Sequence, residues 1–389
     1  MRALLKILHL ASFSGNIGDN ANHSGFRPWL EAVAHRKAEW TELEIREFYW
    51  KERQFDESFV QLVSDFDLLV IGGGNYFELW VEHSATGTSI DIPPDVLAQI
   101  RPPIFFNALG CDEGQGASAT SLGRFRCFLE TLTASAQYLV TVRNDGAMAT
   151  LRRHLPASLT ENIHVIPDGG FFLQFAKSRA PYLRGSNRRI GINLASDMAE
   201  IRFRNFGKED GYEKFCDEFA HMLQRLADED PEIQYIFFPH IYRDLAIVSD
   251  VVSRLGDRLR RTRVSSAPYL SGPAGAEHIF GLYRECHLIL GMRFHANVCA
   301  LAMGVPVIGL CNYPQIKHLY REIGSPDTCA SVSSPGFSMA LGKRIEAALM
   351  DAHASAGTER AMGEVAHVRK SFEPRLAAWL QANGLWGAN

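Results

Sequence analysis

One stretch, residues 290–310, limits the possible folds more than any other part of the chain. It reads LGMRFHANVCALAMGVPVIGL: an apolar run, a turn with Arg293 and His295, a helix of small residues, and a second apolar run entered through Gly304 and Pro306. Two buried strands joined by a helix form a βαβ unit, and such units build parallel sheets. Ligands of open α/β sheets bind outside the carboxyl ends of the strands. We therefore predict an anion-binding and catalytic centre at Arg293 and His295, with a structural hydrogen-bonded pair as the alternative.

The same alternation of strand and helix patterns runs through most of the chain. Apolar runs such as DLLVIGG, PPIFFNALG, QYLVTVR and RRIGINLA each precede a loop or a helical pattern, which indicates an α/β fold with mainly parallel sheets. A chain of 389 residues is too long for one ordinary core, so we expect two domains. The boundary is placed in the aperiodic polar segment 176–187. The prediction is an N-terminal α/β domain at 1–178, a C-terminal α/β domain at 188–365, and a helix at 366–389 that packs back on the first domain.

Composition excludes several classes of protein. Hydrophobic residues make up 46% of the chain, which excludes a disordered protein, and the net charge of −4 argues against a general nucleic-acid binder. The sequence has no run of 18 apolar residues, so we expect no transmembrane helix. The first residues, MRALLKILHLASF, are interpreted as a buried strand rather than a signal peptide. Seven scattered cysteines without a CxxC pattern indicate reduced thiols in a cytoplasmic protein and no metal site.

Glycine-rich or polar loops follow several strands of the first half. SGNIGDNANHSGF follows the first strand; Asp19 or Asn20 there can cap a helix, and free backbone N–H groups can bind an anion or a sugar hydroxyl. Three glycines end the strand DLLVIGGG and let the backbone come very close to a ligand or to a neighbouring loop. Tight turns and close packing are the structural alternatives for both loops. Further candidates for substrate binding at these strand ends are Gly73, Gly74, Asn75 and Arg143.

The second half adds four polar candidates. The loop SDMAEIRFRNFGKEDG carries Arg202 and Arg204, which would share one face of an extended segment or belong to a solvated basic loop. His240 follows a proline at the end of EIQYIFF and is a candidate ligand contact. Lys317 lies in CNYPQIKHLYREIG, directly after the βαβ unit, and adds a point charge. Together with Arg293, whose planar fork of donors fits a carboxylate or a phosphate, these residues predict a site for a small anion.

Four motifs, taken together, resemble those of the polysaccharide pyruvyl transferase family. They are SGNIGDN, LLVIGGGN, VTVRND, and GMRFHANVCALAMGVPVIGL followed by Tyr313 and Lys317. The motifs occur in the family's order over about residues 5–325, and the last is the most specific. The resemblance implies two Rossmann-like domains facing a cleft, similar to the glycosyltransferase-B architecture, with the C-terminal helix returning to the first domain.

The resemblance also implies a reaction. A pyruvyl group would move from phosphoenolpyruvate to two hydroxyls of a sugar, forming a cyclic ketal and releasing phosphate. On the matching positions, Arg293 and His295 would contact phosphoenolpyruvate, with His295 as the proton donor and Lys317 as an auxiliary anion contact. Arg202 and Arg204 are given the same auxiliary role from their position in the chain alone. The residues that would face the acceptor sugar are Asp19, Asn20 and the loop Gly72–Gly74.

Two first-domain motifs depart from the family pattern and put the acceptor in doubt. The chain has PDGGF at 167–171 where many members have Asp-Pro before Phe, and VTVRNDGAMA lacks the usual Ser.

The implied partners are phosphoenolpyruvate and a sugar. Phosphoenolpyruvate would be a co-substrate, without a cofactor. The sugar would be linked to a nucleotide, a lipid or a polymer in polysaccharide biosynthesis, for example of an exopolysaccharide. Two alternatives stay open: a glycosyltransferase that uses a nucleotide sugar, and a non-catalytic protein that binds an anionic metabolite. A homo-oligomer is compatible with either.

Overall fold

The computed structural model describes residues 4–180, 183, 188–350 and 354–387. Over these residues the chain divides into two compact units. Unit 1 consists of the described parts of Met1–Phe13, Asn22–Gly169 and Ala366–Asn389, and unit 2 of those of Ser14–Ala21 and Gly170–Val365. No helix among the described residues is both long enough and apolar enough to cross a membrane.

This division differs from the predicted domains at two places. The prediction assigns Ser14–Ala21 and residues 170–178 to the first domain, whereas both segments belong to unit 2. Ile17 is fully buried in a core cluster with Phe171 and Phe280 of the same unit. A loop sequence indicates a turn but not the core that buries its apolar side chains, which is why the sequence places the border wrongly. Residues 181, 182 and 184–187 of the predicted boundary segment lie outside the described residues.

Unit 1 is built on a parallel sheet. Its strands are β1 (Leu5–Ala11), β2 (Ala38–Glu44), β3 (Leu68–Gly72), β4 (Phe77–Glu78), β5 (Ile104–Leu109), β6 (Cys111–Asp112), β7 (Tyr138–Arg143) and β8 (His164–Ile166). The helices up to β8 are α1 (Ile17–Ala34), α2 (Arg46–Tyr49), α3 (Glu57–Val63), α4 (Pro94–Leu97), α5 (Ala119–Thr133), α6 (Ala147–His154) and α7 (Ala157–Thr160), and the border between the units falls within α1. Six strands pair in the order β2-β1-β3-β5-β7-β8, and β4 pairs with β6 separately. Strand order reverses between β1 and β3, as in flavodoxin-like sheets.

The end of the C-terminal helix packs on unit 1. This helix, α16, runs from Ala354 to Ala382 and joins unit 1 from Ala366 onward. Its Phe372, Leu376 and Leu380 are buried in one core cluster with side chains of β1, β3 and β5. Trp29 of α1 donates from Nε1 to Oε1 of Glu373 at 3.0 Å. The predicted return of the C-terminal helix to the first domain is confirmed.

Unit 2 is also built on a parallel sheet. Its strands are β9 (Arg188–Asn193), β10 (Ile233–Phe237), β11 (Val264–Ser266), β12 (Leu288–Gly291), β13 (Val307–Cys311) and β14 (Cys329–Ser331). Its helices before α16 are α8 (Ala199–Arg202), α9 (Gly211–Glu229), α10 (Asp244–Ser253), α11 (Asp257–Thr262), α12 (Gly272–Tyr283), α13 (Phe294–Ala302), α14 (Pro314–Glu322) and α15 (Phe337–Met350). The order β11-β10-β9-β12-β13-β14 is that of a Rossmann sheet, with its switch point between β9 and β12. The predicted Rossmann-like α/β fold of both units is confirmed.

Glu78 of β4 has a carboxyl group whose pKa is shifted by burial. Burial raises the pKa of Glu78 to about 7, against an opposing hydrogen bond from the hydroxyl of Ser89. Because the folded state binds this proton more tightly than the unfolded chain, its stabilising effect is full below pH 4.5 and is lost as the pH rises through about 7. We expect Glu78→Gln to raise the free energy of unfolding at pH 8 by about 2 to 3 kcal/mol and to flatten its pH dependence.

Urea unfolding between pH 5 and pH 8 measures this effect. Glu82→Gln, on an exposed side chain nearby, is the matched control and should follow the wild type. An unchanged pH slope for Glu78→Gln would show that the carboxyl of Glu78 is already ionised at pH 5.

Candidate functional site

The switch point of unit 2 places Arg293 directly after β12. Asn193, the last residue of the neighbouring β9, accepts the backbone N–H of Arg293 through Oδ1 at 3.0 Å. The amide of Asn193 also donates to the carbonyl of Phe238 at 2.9 Å. These bonds fix the turn between β12 and α13, where the sequence predicts the anion-binding centre.

Two carboxylates hold the guanidinium of Arg293. Asp244, at the start of α10 and fully buried, accepts Nε at 2.8 Å and Nη2 at 2.5 Å. Asp197, in the loop after β9, accepts Nη2 at 2.5 Å. Burial opposes the charge of Arg293, but Asp244 and Asp197 outweigh burial and raise the pKa of Arg293. Two aspartates therefore fix Arg293, and its Nη1 is not engaged among the described contacts.

Arg202 lies in the same cluster, but Arg204 does not. Arg202 is buried; it donates from Nε to the carbonyl of Asp197 at 2.9 Å and from Nη1 to Oδ1 of Asn312 at 3.1 Å. Its guanidinium also lies over the ring of Tyr313, 5.1 Å from the centroid. The expectation that Arg202 and Arg204 share one face of an extended loop is wrong, because the chain forms the short helix α8 and a 3-10 turn there. Arg204 is consequently exposed to solvent.

His295 lies in the first turn of α13 and packs against the N-terminal turn of α1. A Cβ atom at Gly18 would lie 2.3 Å from Nδ1 and 2.5 Å from Cγ of the His295 ring, so only glycine fits at this position. The preceding loop is tied down within unit 2, since the N–H of Gly15 donates to Oγ of Ser271 at 2.9 Å. This close approach brings the motif SGNIGDN to His295, a relation that no local pattern in the sequence reveals.

Asp19 and Asn20 lie in the same turn of α1, and both are buried. Neither caps the helix as predicted. Asn16 does so instead, because its Oδ1 accepts the N–H of Gly18 at 3.0 Å and α1 already begins at Ile17. Both residues belong to unit 2, so their predicted place on the first domain is a further correction.

His240 follows β10 and is fully buried. Its Nε2 lies 2.8 Å from Oη of Tyr283, while Nδ1 has no hydrogen-bond partner among the described residues. Burial, with smaller effects from the charges of Arg293 and His295, lowers the pKa of His240 well below its usual value. The imidazole is thus neutral and belongs to the electrostatic surroundings of the cluster, while its predicted contact with a ligand stays a prediction.

Lys317 is exposed on α14, the helix for which Tyr313 is the N-terminal capping residue. No hydrogen bond or ion pair of Lys317 occurs among the described residues. The structure therefore places Lys317 on the helix that begins at Tyr313, the residue in contact with Arg202.

The predicted residues of unit 1 gather at the carboxyl ends of its strands. Gly73 has φ +92°, and a Cβ there would lie 2.8 Å from Oδ1 of Asn22. A Cβ on Gly110 would lie 2.2 Å from Oδ1 of Asn75 and 2.8 Å from Nη2 of Arg143, so these two side chains converge over Gly110. The glycines therefore permit a closely packed polar region at the ends of β3, β5 and β7. A Cβ on Gly74 would meet the ring of Tyr76 instead.

Arg143 is buried and paired with Asp145, whose Oδ2 accepts Nε at 2.5 Å. Nearby, Asn22 donates to Oδ2 of Asp168 at 2.7 Å. The Oδ1 atoms of Asn22 and Asn75 and the whole amide of Asn107 lack hydrogen-bond partners among the described residues. Asn22 and Asn107 escaped sequence reasoning because their types and positions resemble those of ordinary helix and strand residues.

Comparison with known proteins decides the family. The family model for polysaccharide pyruvyl transferases matches residues 1–312. The chain belongs to the polysaccharide pyruvyl transferase family. The matched residues of this family member include Gly18, Arg293 and His295, whereas Lys317 lies just beyond the last matched residue. A comparison with curated proteins found no match.

Solved structures share the fold of this pyruvyl transferase family member at low identity. The putative UDP-N-acetylglucosamine 2-epimerase of Listeria monocytogenes has 12% identity and a TM-score of 0.54 over 92% of this chain and 91% of that one. The UDP-GlcNAc 2-epimerase of Neisseria meningitidis, bound to UDP-GlcNAc, has 11% identity and a TM-score of 0.53 over 96% and 99%. That of Methanocaldococcus jannaschii has 11% identity and a TM-score of 0.53 over 90% and 94%. At such identity the likeness concerns the fold alone, which is of the glycosyltransferase-B type.

Proposed function

We propose that the protein transfers a pyruvyl group from phosphoenolpyruvate to two hydroxyls of a sugar, forming a cyclic ketal and releasing phosphate. Family membership supports the reaction class. The observation that carries the proposal is the cluster at the switch point of unit 2, where Arg293, Arg202 and His295 follow strand ends suited to an anionic ligand. The proposed place of the reaction is cytoplasmic polysaccharide or glycoconjugate biosynthesis, without a cofactor.

Phosphoenolpyruvate makes definite demands on its site. Its carboxylate and phosphate need fixed cations, and in this proposal Nη1 of Arg293 and the guanidinium of Arg202 supply them, aided by Lys317. Because Asp244 fixes Arg293 through two hydrogen bonds, the cation is oriented before the donor arrives.

His295 is proposed to move the proton. C3 of phosphoenolpyruvate takes a proton from the imidazolium, and the oxygen of the first sugar hydroxyl bonds to the electrophilic C2. The neutral imidazole then accepts the proton of that hydroxyl. Inorganic phosphate leaves C2 with its bonding electron pair, and the second hydroxyl adds to C2 and gives its proton to the departing phosphate, which closes the ketal. All atoms are balanced without a metal or a redox partner.

For the acceptor, we propose the polar strand ends of unit 1. Asn75 and Arg143 are adjacent over Gly110, and Gly73 and Gly74 bring the backbone close. Amide groups donate and accept at once, which suits sugar hydroxyls. Asp19 and Asn20, in the turn of α1 that carries Gly18, remain proposed acceptor contacts.

A direct assay tests the proposed function. The purified protein is mixed with phosphoenolpyruvate and a panel of free, nucleotide-linked and lipid-linked sugars. Release of phosphate and a pyruvyl adduct on one acceptor by mass spectrometry are expected. A parallel panel of nucleotide sugars tests the alternative glycosyltransferase; consumption of a nucleotide sugar without any reaction of phosphoenolpyruvate would replace the proposal.

A further inference from the structure

We propose that Asp197 is an internal anion: its carboxylate occupies the position on Arg202 and Arg293 that a phosphate of the incoming donor takes, and the ligand must displace it. The identity of the donor rests on the proposed function. The displacement itself requires only a phosphate group at this cluster.

The contacts of Asp197 match those that a bound phosphate needs. One carboxylate oxygen, Oδ1, accepts Nη2 of Arg293 at 2.5 Å. The other, Oδ2, lies 3.5 Å from Nη2 of Arg202. One small anion thus bridges two guanidinium groups from different elements, β12–α13 and α8. Phosphate has the same capacity, with more oxygen atoms and a second negative charge.

Asp244 provides the contrast. Its carboxylate is fully buried and, besides the two bonds to Arg293, accepts the N–H groups of His240 at 2.9 Å and Ile241 at 3.2 Å. Displacing Asp244 would leave two backbone donors and a buried charge without partners, which is costly. The side chain of Asp197 is 21% exposed, and its carboxylate contacts among the described residues are those with Arg293 and Arg202. Asp244 is therefore the fixed anchor and Asp197 the anion that can leave.

The turn after Asp197 contains a residue in an unfavourable backbone conformation. The next residue, Met198, has φ +55°, a left-handed conformation that is unfavourable for a residue with a side chain. The helix that follows, α8, has only four residues. A small change of this turn could withdraw the carboxylate from Arg293 without disturbing β9.

Charge balance explains why such an anion is present. Burial is the largest effect that lowers the pKa of Arg202; the cation of Arg293 lowers it further, whereas Asp197 raises it. Without a ligand, Asp197 and the buried Asp244 together compensate the charges of Arg202 and Arg293. A ligand with a single carboxylate that displaces Asp197 offers the two arginines the same negative charge as Asp197 did. A phosphate ligand offers them a larger negative charge. Asp197 thereby makes the site prefer phosphate-bearing ligands over simple carboxylates.

Binding of inorganic phosphate, measured by titration calorimetry, tests this inference. Asp197→Asn, which keeps shape and loses charge, is expected to bind phosphate about tenfold more tightly than the wild type, because the competing state is removed. It should also gain affinity for acetate, so that the preference for phosphate over acetate falls. Asp244→Asn is the matched control and is expected to bind phosphate more weakly, since Arg293 loses its anchor. Phosphate binding by Asp197→Asn that is equal to or weaker than that of the wild type would overturn the inference. So would the absence of phosphate binding by both the wild type and Asp197→Asn.

A second measurement does not depend on the variant folding well. A structure of the wild-type protein soaked with phosphate should show the carboxylate of Asp197 withdrawn from Arg293; phosphate bound with that contact intact would overturn the inference. The outcome is separable from that of the proposed function. Tighter phosphate binding by Asp197→Asn in a protein that never consumes phosphoenolpyruvate supports the inference while the proposed function fails. Turnover of phosphoenolpyruvate, without tighter phosphate binding by Asp197→Asn, supports the proposed function while the inference fails.

Discussion

Replacement of His295 by asparagine is expected to lower the rate of phosphate release from phosphoenolpyruvate by about 10²- to 10⁴-fold, the usual contribution of one positioned general acid or base. The side chain is 6% exposed, and asparagine keeps a polar group of similar reach without the proton-transferring ring. Affinity for phosphoenolpyruvate should change much less than the rate, because the arginine cluster is untouched. The rate is measured by continuous phosphate detection in the presence of acceptor.

His221→Asn is the matched control for this variant. His221 lies on the exposed face of α9, where Nδ1 lies 2.7 Å from the carbonyl oxygen of Asp217. Its replacement should leave the rate unchanged. A His295→Asn protein that folds like the wild type and turns over at a comparable rate would remove His295 from the proton transfer.

Gly18→Ala is expected to reduce the rate by at least about tenfold without unfolding the protein. The new Cβ atom would lie 2.3 Å from Nδ1 and 2.7 Å from Cβ of His295, so the imidazole and the helical turn that carries it must move. Displacing a catalytic group by about 1 Å is enough for a loss of this size or more. The helical propensity of alanine partly offsets the steric cost in the free energy of unfolding.

Gly363→Ala separates the steric effect from the helix effect. Gly363 also lies within a helix, α16, but a Cβ atom there meets nothing within 4 Å. That variant should be stabilised by about 0.5 to 1 kcal/mol and keep full activity. If Gly18→Ala keeps wild-type activity as well, the packing of Gly18 against His295 has no role in positioning the ring.

Local patterns were sufficient for much of the fold. The βαβ prediction at 290–310 is confirmed by β12, α13 and β13, because strand and helix periodicities alternate there without ambiguity. The polar turn lies at the carboxyl end of β12, as predicted, and the strand order adds that this end is at the switch point of the sheet. Such features depend on residues that are neighbours in the sequence, so a single sequence is enough to predict them.

Long-range relations were not accessible in the same way. The contact of Gly18 with His295 joins residues far apart in sequence, and a glycine at the start of a helix looks like any other loop glycine. Asp197 follows an ordinary strand, and only the fold brings its carboxylate to two arginines. At Arg204 a local pattern was misleading. Apolar and basic residues alternate there as in a strand, whereas the segment forms short helical turns.

The central claim is that C2 of phosphoenolpyruvate becomes the ketal carbon of a sugar. Phosphoenolpyruvate labelled with ¹³C at C2 is incubated with the protein and the acceptor identified in the panel, and the product is examined by ¹³C NMR. We expect the label in a carbon bonded to two oxygens of one sugar, with phosphate released in equal amount and with the product formed far more slowly by His295→Asn. Label found only in free pyruvate, or in unreacted phosphoenolpyruvate with every acceptor class, would contradict the account.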